Sequence, residues 1–215
     1  MPKKELALKY ATALSAYLLI VWGLYRFLFK LPDEIEEIFV KPVFWLIPVL
    51  YLLKKEKAGL SSLGITLKNL FPAVYFALGL GAFFVIEAIF INFIKYQGLN
   101  FSANLGNTPF LTSLGLSFVT ALVEEITFRG YIFNRLWHAL GGEWTANIAS
   151  SVAWGLVHVP ITFFVWKLPL GASLIYLFLT VIFGMGSAFV FARTKNIFSS
   201  ILLHVLWAWP IILFR

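Results

Sequence analysis

The sequence predicts an all-α, polytopic bundle of transmembrane helices with about seven spans, and three observations predict it. Hydrophobic residues make up 60% of the 215-residue chain, charged residues only 13%, and the mean hydropathy is +0.87; soluble domains are roughly half apolar and a quarter charged. Aromatic residues reach 18%, with 23 Phe and 8 Trp, which suits a lipid-facing surface with interfacial belts better than an aqueous exterior. Apolar runs near the roughly 20 residues needed to cross a hydrocarbon core recur along the chain. A water-soluble core of this size cannot absorb that much apolar surface.

The runs follow in order. The first covers 6–29 and, lacking a small-residue cleavage site, reads as a retained span rather than a cleaved signal. An acidic stretch holding Asp33, Glu34, Glu36 and Glu37 leads into a short second run at 43–53 that contains Pro48 and is preceded by Pro42. After the basic segment 54–57, an amphipathic piece at 60–67 reads as interfacial, and a third span covers 70–94. The polar loop 96–109 is the clearest break. Runs at 110–133, 144–166, 170–192 and 197–214 complete the count. With no internal repeat and no soluble segment, residues 1–215 read as a single integral-membrane domain whose chemistry gathers in a carboxy-terminal half, 110–214.

The net charge of +7 is not read as nucleic-acid affinity, because excess Lys and Arg in a membrane protein marks cytoplasmic loops and the anionic leaflet. On alternate sides of seven spans, 11 Lys and Arg fall on the amino-terminal side and 6 on the other. This predicts a multi-pass protein of the cell membrane with a cytoplasmic amino terminus. The absence of cysteine excludes disulfide and thiolate chemistry.

An ionisable side chain at the centre of a transmembrane helix costs roughly 2.5–3.5 kcal/mol, so it needs a partner or a task. Glu124 and Glu125 stand side by side in the fourth span. Alternating separations of four and three put Ser113, Ser117, Thr120, Glu124, Thr127 and Tyr131 on one stripe, which must face protein or water. Glu125 and Arg129 are four apart, so the arginine can neutralise the second glutamate and leave the first free. In the fifth span Asn147, Ser151, Trp154 and His158 form another stripe, and Pro160 interrupts the helix just beyond the histidine. The seventh span puts Ser200, His204 and Trp207 on one face, while Thr180, Gly184 and Ala188 in the sixth make a small-residue face for close helix approach. A lone intramembrane histidine is most simply a structural hydrogen-bonding residue. Two glutamates and two histidines on three spans, each with a polar stripe, point instead to a functional site. Glu87, without such a stripe, and His138, in a short turn, read as structural.

A carboxylate and a histidine could activate a water, and a second histidine could donate to the oxyanion formed when that water attacks an amide. Glu124, His158 and His204 could instead hold a zinc ion with an open position for water. Intramembrane carboxylates and histidines also build proton relays, which keeps a proton-coupled transporter in view.

At these residues the chain resembles the CAAX prenyl protease and bacteriocin-processing family of intramembrane endopeptidases. The first element of that family's pattern, EExxxR, is Glu124–Glu125–Ile126–Thr127–Phe128–Arg129. The second, an aromatic four residues before a histidine, is Trp154 and His158, with Trp where Phe is usual. The third, a histidine followed at four residues by Asn or Asp, is His204 and Ala208, so this chain departs from the pattern at Ala208. The resemblance implies an all-helical fold with a cytosol-facing cavity, Glu124 as base assisted by His158, and His204 as oxyanion donor; a site without metal or cofactor is favoured, with zinc on Glu124, His158 and His204 as the alternative. It implies peptide hydrolysis on a membrane-associated substrate, hydrophobic or lipidated, with the lipid bilayer and no nucleic acid as partners. Trp207, three residues beyond His204, carries an indole N–H that could supplement the missing Asn, and Trp154 supports the site beside it. Ala208 also fits a non-catalytic scaffold or immunity protein that keeps the fold.

Overall fold

The apolar runs become helices because nothing in a hydrocarbon layer can satisfy backbone N–H and C=O groups except the segment itself. In the computed structural model, which describes residues 2–100 and 109–214, the last six without side chains, seven long helices form and no strand occurs among the described residues. They are α1 (Lys4–Leu28), α2 (33–56), α3 (Leu70–Tyr96), α4 (Phe110–Leu140), α5 (Glu143–Val165), α6 (Leu170–Thr194) and α7 (Ile197–Phe214). Five of these are long and apolar enough to cross a membrane, and α7 is apolar over Ile197–Ala208. The chain is an integral membrane protein built as an all-α bundle. Residues 101–108 of the predicted polar loop, and Arg215 of the charge tally, lie outside the described residues.

Two boundaries differ from the sequence reading. The second helix starts at Asp33, ten residues before the apolar run, so the acidic stretch forms its first turns. Its π-helical turn Glu36–Val40 lies directly before Pro42, which has no N–H to return to the carbonyl of Ile38. The face made by Glu37, Lys41, Trp45, Val49 and Leu53, spaced by fours, turns inward over the whole helix, and its last four members are buried. The fourth helix runs on to Leu140, through a π-helical segment at Ile126–Phe133 just after the paired glutamates. The predicted interfacial piece is a single 3₁₀ turn, Leu60–Leu63, whose Leu63 is buried in the bundle end.

Packing relies on small residues where helices must come close. Ala73, Ala77 and Gly81 form one face of α3 against α7, and a Cβ at Gly81 would stand 2.6 Å from Leu206. Gly184 does the same on α6 against α5: a Cβ there would lie 3.0 Å from Ser151 and 3.1 Å from the Arg129 guanidinium.

The bundle has two ends. One carries residues 2–4, the 57–69 connection, the turn at 141–142 and the turn at 195–196. Polar bonds tie it together: His138 to the Pro2 carbonyl at 2.9 Å, Asn196 to the carbonyls of Thr66 and Lys68, and buried Glu56 to both Tyr131 and Arg135. The opposite end carries residues 29–32, 97–100 and 166–169, where Phe27 of α1 meets Phe164 of α5.

Candidate active site

Inside the bundle a cavity of about 220 Å³ is lined by Glu124, His158, His204 and Lys41, with Trp154, Trp207 and Ala208 on its walls. That is room for several water molecules, at roughly 30 Å³ each in the liquid. A second cavity of about 350 Å³ shares Arg26, Glu37, Thr120, Trp166 and His204 and extends the space toward Asp33, Glu34 and Ser113. Three helices therefore bring the sequence-selected glutamate and both histidines to one space.

Glu124 is 4% exposed and both of its oxygens are engaged. Lys41 Nζ donates to Oε1 at 2.9 Å, and the Trp154 indole donates Nε1–H to Oε2 at 2.9 Å. Lys41 also donates to Glu37 at 2.6 Å, and Thr120 donates its hydroxyl to the same Glu37 oxygen at 2.6 Å. Glu37, Lys41 and Glu124 thus form a carboxylate–ammonium–carboxylate bridge with one surplus negative charge. Beside it, Arg26 pairs with buried Glu36.

Glu125, fully buried, collects a different set: Arg129 at 3.2 Å, the Ser187 hydroxyl at 2.6 Å and His204 Nδ1 at 2.8 Å. The Arg129 guanidinium sits 4.5 Å over the Trp154 ring, a favourable cation–π placement. Arg129 pairs with Glu125 as its spacing predicts, but Glu124 is not left free. Its partner comes from α2, which sequence spacing within α4 could not reveal.

Both histidines are held by Nδ1. His158 Nδ1 lies 2.8 Å from the Trp154 carbonyl, which can only accept, so that nitrogen carries the proton and Nε2, 4.0 Å from Glu124 Oε2, is left with its lone pair when the ring is neutral. His204 gives Nδ1 to Glu125, leaving Nε2 for the cavity. A histidine oriented by carbonyl or carboxylate on one nitrogen, with the other free, suits proton transfer and metal binding alike. Among the described residues no group of three His, Cys, Asp or Glu side chains is arranged to hold a metal ion.

Trp207 lines the cavity and stacks on Phe183 at 4.3 Å. Ala208 contributes only a methyl group where a longer polar side chain would reach into the space.

Residues 106–210 match the family described as type II CAAX prenyl endopeptidase Rce1-like. This segment is similar to the Rce1-like family. No curated protein matches the chain. The Rce1-like segment covers α4 to α7, so Glu124, Glu125, Arg129, Trp154, His158, His204 and Ala208 all fall inside it. Arg26, Glu37 and Lys41 fall outside it and were not selected from the sequence. Their signal was present in the register: stepping back by fours from the buried apolar face of α2 leads through Trp45 to Lys41 and Glu37.

Proposed function

We propose that the chain is an intramembrane endopeptidase that hydrolyses a peptide bond in a membrane-associated substrate by glutamate- and histidine-activated water. The supporting observation is the convergence of Glu124, His158 and His204 on one cavity within a segment of a membrane protease family. A water held between Glu124 and His158 Nε2 attacks the amide carbon and passes a proton to Glu124. His204, held through Nδ1 by Glu125, donates Nε2–H to the carbonyl oxygen as it becomes an oxyanion. The C–N bond then breaks, and the proton held by Glu124 goes to the leaving nitrogen. Trp154 and Lys41 fix the Glu124 carboxylate; Arg129 and Ser187 fix Glu125 and, through it, the His204 ring.

The test is cleavage of a fluorogenic prenylated or hydrophobic peptide by the purified protein in detergent. Wild type should cut it, and His158→Ala and His204→Ala should not, while each variant keeps its melting temperature within a few degrees. Cleavage should also survive exhaustive chelation, with no stoichiometric zinc found by elemental analysis. One zinc per chain lost in both histidine variants would replace this mechanism with a metal-assisted one. Wild-type activity no higher than that of the variants would favour the scaffold reading that Ala208 suggests.

The oxyanion needs more than one donor, and we assign the second to the indole of Trp207, which lines the cavity beside Ala208. Trp207→Phe, which keeps the ring stacked on Phe183 and removes the N–H, should lower turnover by about 10²-fold, the loss seen on deleting one such donor elsewhere. Ala208→Asn should leave turnover unchanged or raise it. Full activity in Trp207→Phe together with a large gain in Ala208→Asn would show that the indole donates nothing.

A further inference from the structure

A buried polar group left without a partner costs free energy, so each one needs an explanation. Among the described residues two such groups face the site. Trp45 is 1% exposed and its indole Nε1–H meets no acceptor; Ser117 is 9% exposed and its hydroxyl meets neither donor nor acceptor. Trp45 lines the cavity that holds Glu124, His158 and His204, and Ser117 lines the second cavity that continues it. The other orphaned atoms belong to side chains off these cavities, such as Tyr25, or to Arg26, whose guanidinium already pairs with Glu36. The Trp45 ring meets Trp22 and Phe128 edge to face, at centroid distances of 5.8 and 5.7 Å, so packing fixes the direction of its N–H.

The two groups flank the reacting carboxylate along one seam. Helices α2 and α4 run in the same direction, for Glu37 meets Thr120, Lys41 meets Glu124 and, farther on, Glu56 meets Tyr131. Ser117 lies seven residues before Glu124 on α4, about 10 Å along the axis, and Trp45 lies four residues beyond Lys41 on α2, about 6 Å in the opposite sense. We propose that the seam between α2 and α4 is a substrate track, in which Ser117 and Trp45 hold backbone amide groups of an extended peptide on either side of the scissile bond. The span of about 16 Å takes roughly five extended residues at about 3.3 Å each. Facing cavities that admit water, both groups can be served by solvent at rest, and the peptide takes over those bonds when it binds. An indole N–H only donates, so Trp45 selects a carbonyl; the Ser117 hydroxyl donates or accepts and takes either half of an amide. A track that reads backbone suits a hydrophobic segment, whose side chains offer no polar handle. Trp45 lies outside the Rce1-like segment, so α2 contributes to substrate binding as well as to the Lys41 bridge. The position of the cut rests on the endopeptidase reading, and the binding of peptide does not.

Ser117→Ala and Trp45→Phe should each lower kcat/KM for the fluorogenic hydrophobic peptide by roughly three- to tenfold, the worth of one neutral hydrogen bond. The loss should appear as a higher KM at nearly unchanged kcat, as expected of a bond made equally in the ground and transition states. Ser117→Ala should melt no lower than wild type, because it removes no bond that the folded protein makes within itself. A wild-type KM in Ser117→Ala, or a lowered melting temperature that accounts for its loss of activity, overturns the proposal. A second measurement needs no turnover and keeps Trp45 testable if Trp45→Phe packs poorly. The Glu124→Gln protein labelled with [15N]Trp carries eight indole N–H groups, and the signal that Trp45→Phe deletes belongs to Trp45. Adding the hydrophobic peptide should move that proton downfield as it meets a carbonyl. An unmoved signal at millimolar peptide overturns the proposal. A moved signal together with no cleavage by the wild type leaves the track standing and removes the endopeptidase reading.

Discussion

Glu124→Gln should fold like the wild type and lose at least 10²-fold in cleavage, up to about 10⁴-fold, the range that a positioned general base contributes. The fold is expected to survive because of how charge is shared in the cavity. Lys41 bridges Glu37 and Glu124, so two carboxylates face one ammonium. Removing the Glu124 charge leaves Lys41 and Glu37 as a balanced pair, and the glutamine carbonyl can still accept a hydrogen bond from Lys41 or Trp154. The surplus negative charge that disappears is the one available to take a proton from water. Cleavage rates and thermal unfolding in detergent, measured side by side, check this. A variant that melts as wild type does and cuts at wild-type rate would remove Glu124 from the chemistry and shift the base role to His158, whose Nε2 lone pair faces the same space.

Periodicity carried the sequence reading furthest where one helix supplies its own pattern. The stripe from Ser117 through Glu124 to Tyr131 does face protein and cavity: Thr120 meets Glu37, Thr127 returns to the Val123 carbonyl, and Tyr131 reaches Glu56. The small-residue face at Thr180, Gly184 and Ala188 is buried where α6 meets α5. What spacing could not supply was partnership between helices far apart in sequence. Glu125 and His204 are 79 residues apart and Lys41 and Glu124 are 83 apart, and no local rule links either pair. The acidic stretch extends the second helix for a physical reason: its charges are stable inside a helix when they pair inward, as Glu36 does with Arg26 and Glu37 with Lys41. The same charges then vanish from the loop count, which is why burial must be known before Lys and Arg are tallied by side.

Lys41→Met should be the most damaging substitution to stability in the amino-terminal half, lowering it by about 3–5 kcal/mol, the cost of removing one partner from a buried ion pair. Lys41 is 5% exposed and holds two carboxylates at 2.6 and 2.9 Å. Methionine fills most of its volume but leaves Glu37 and Glu124 facing each other with no cation between them. The loss is electrostatic, so it should be relieved by removing a carboxylate. Lys41→Met combined with Glu37→Gln should recover part of the stability, with a coupling of roughly 0.5–3 kcal/mol between the two positions. It should not recover cleavage to the wild-type rate, because Glu124 then lacks the donor that fixes its Oε1. Thermal unfolding of the two single variants and the double variant yields the coupling directly, and the peptide assay separates stability from turnover. If Lys41→Met melts and cuts as wild type does, the bridge from α2 contributes nothing, and the site is confined to the Rce1-like segment. If the double variant is restored in both stability and rate, Lys41 serves only to neutralise Glu37, and the orientation of Glu124 rests on the Trp154 indole alone.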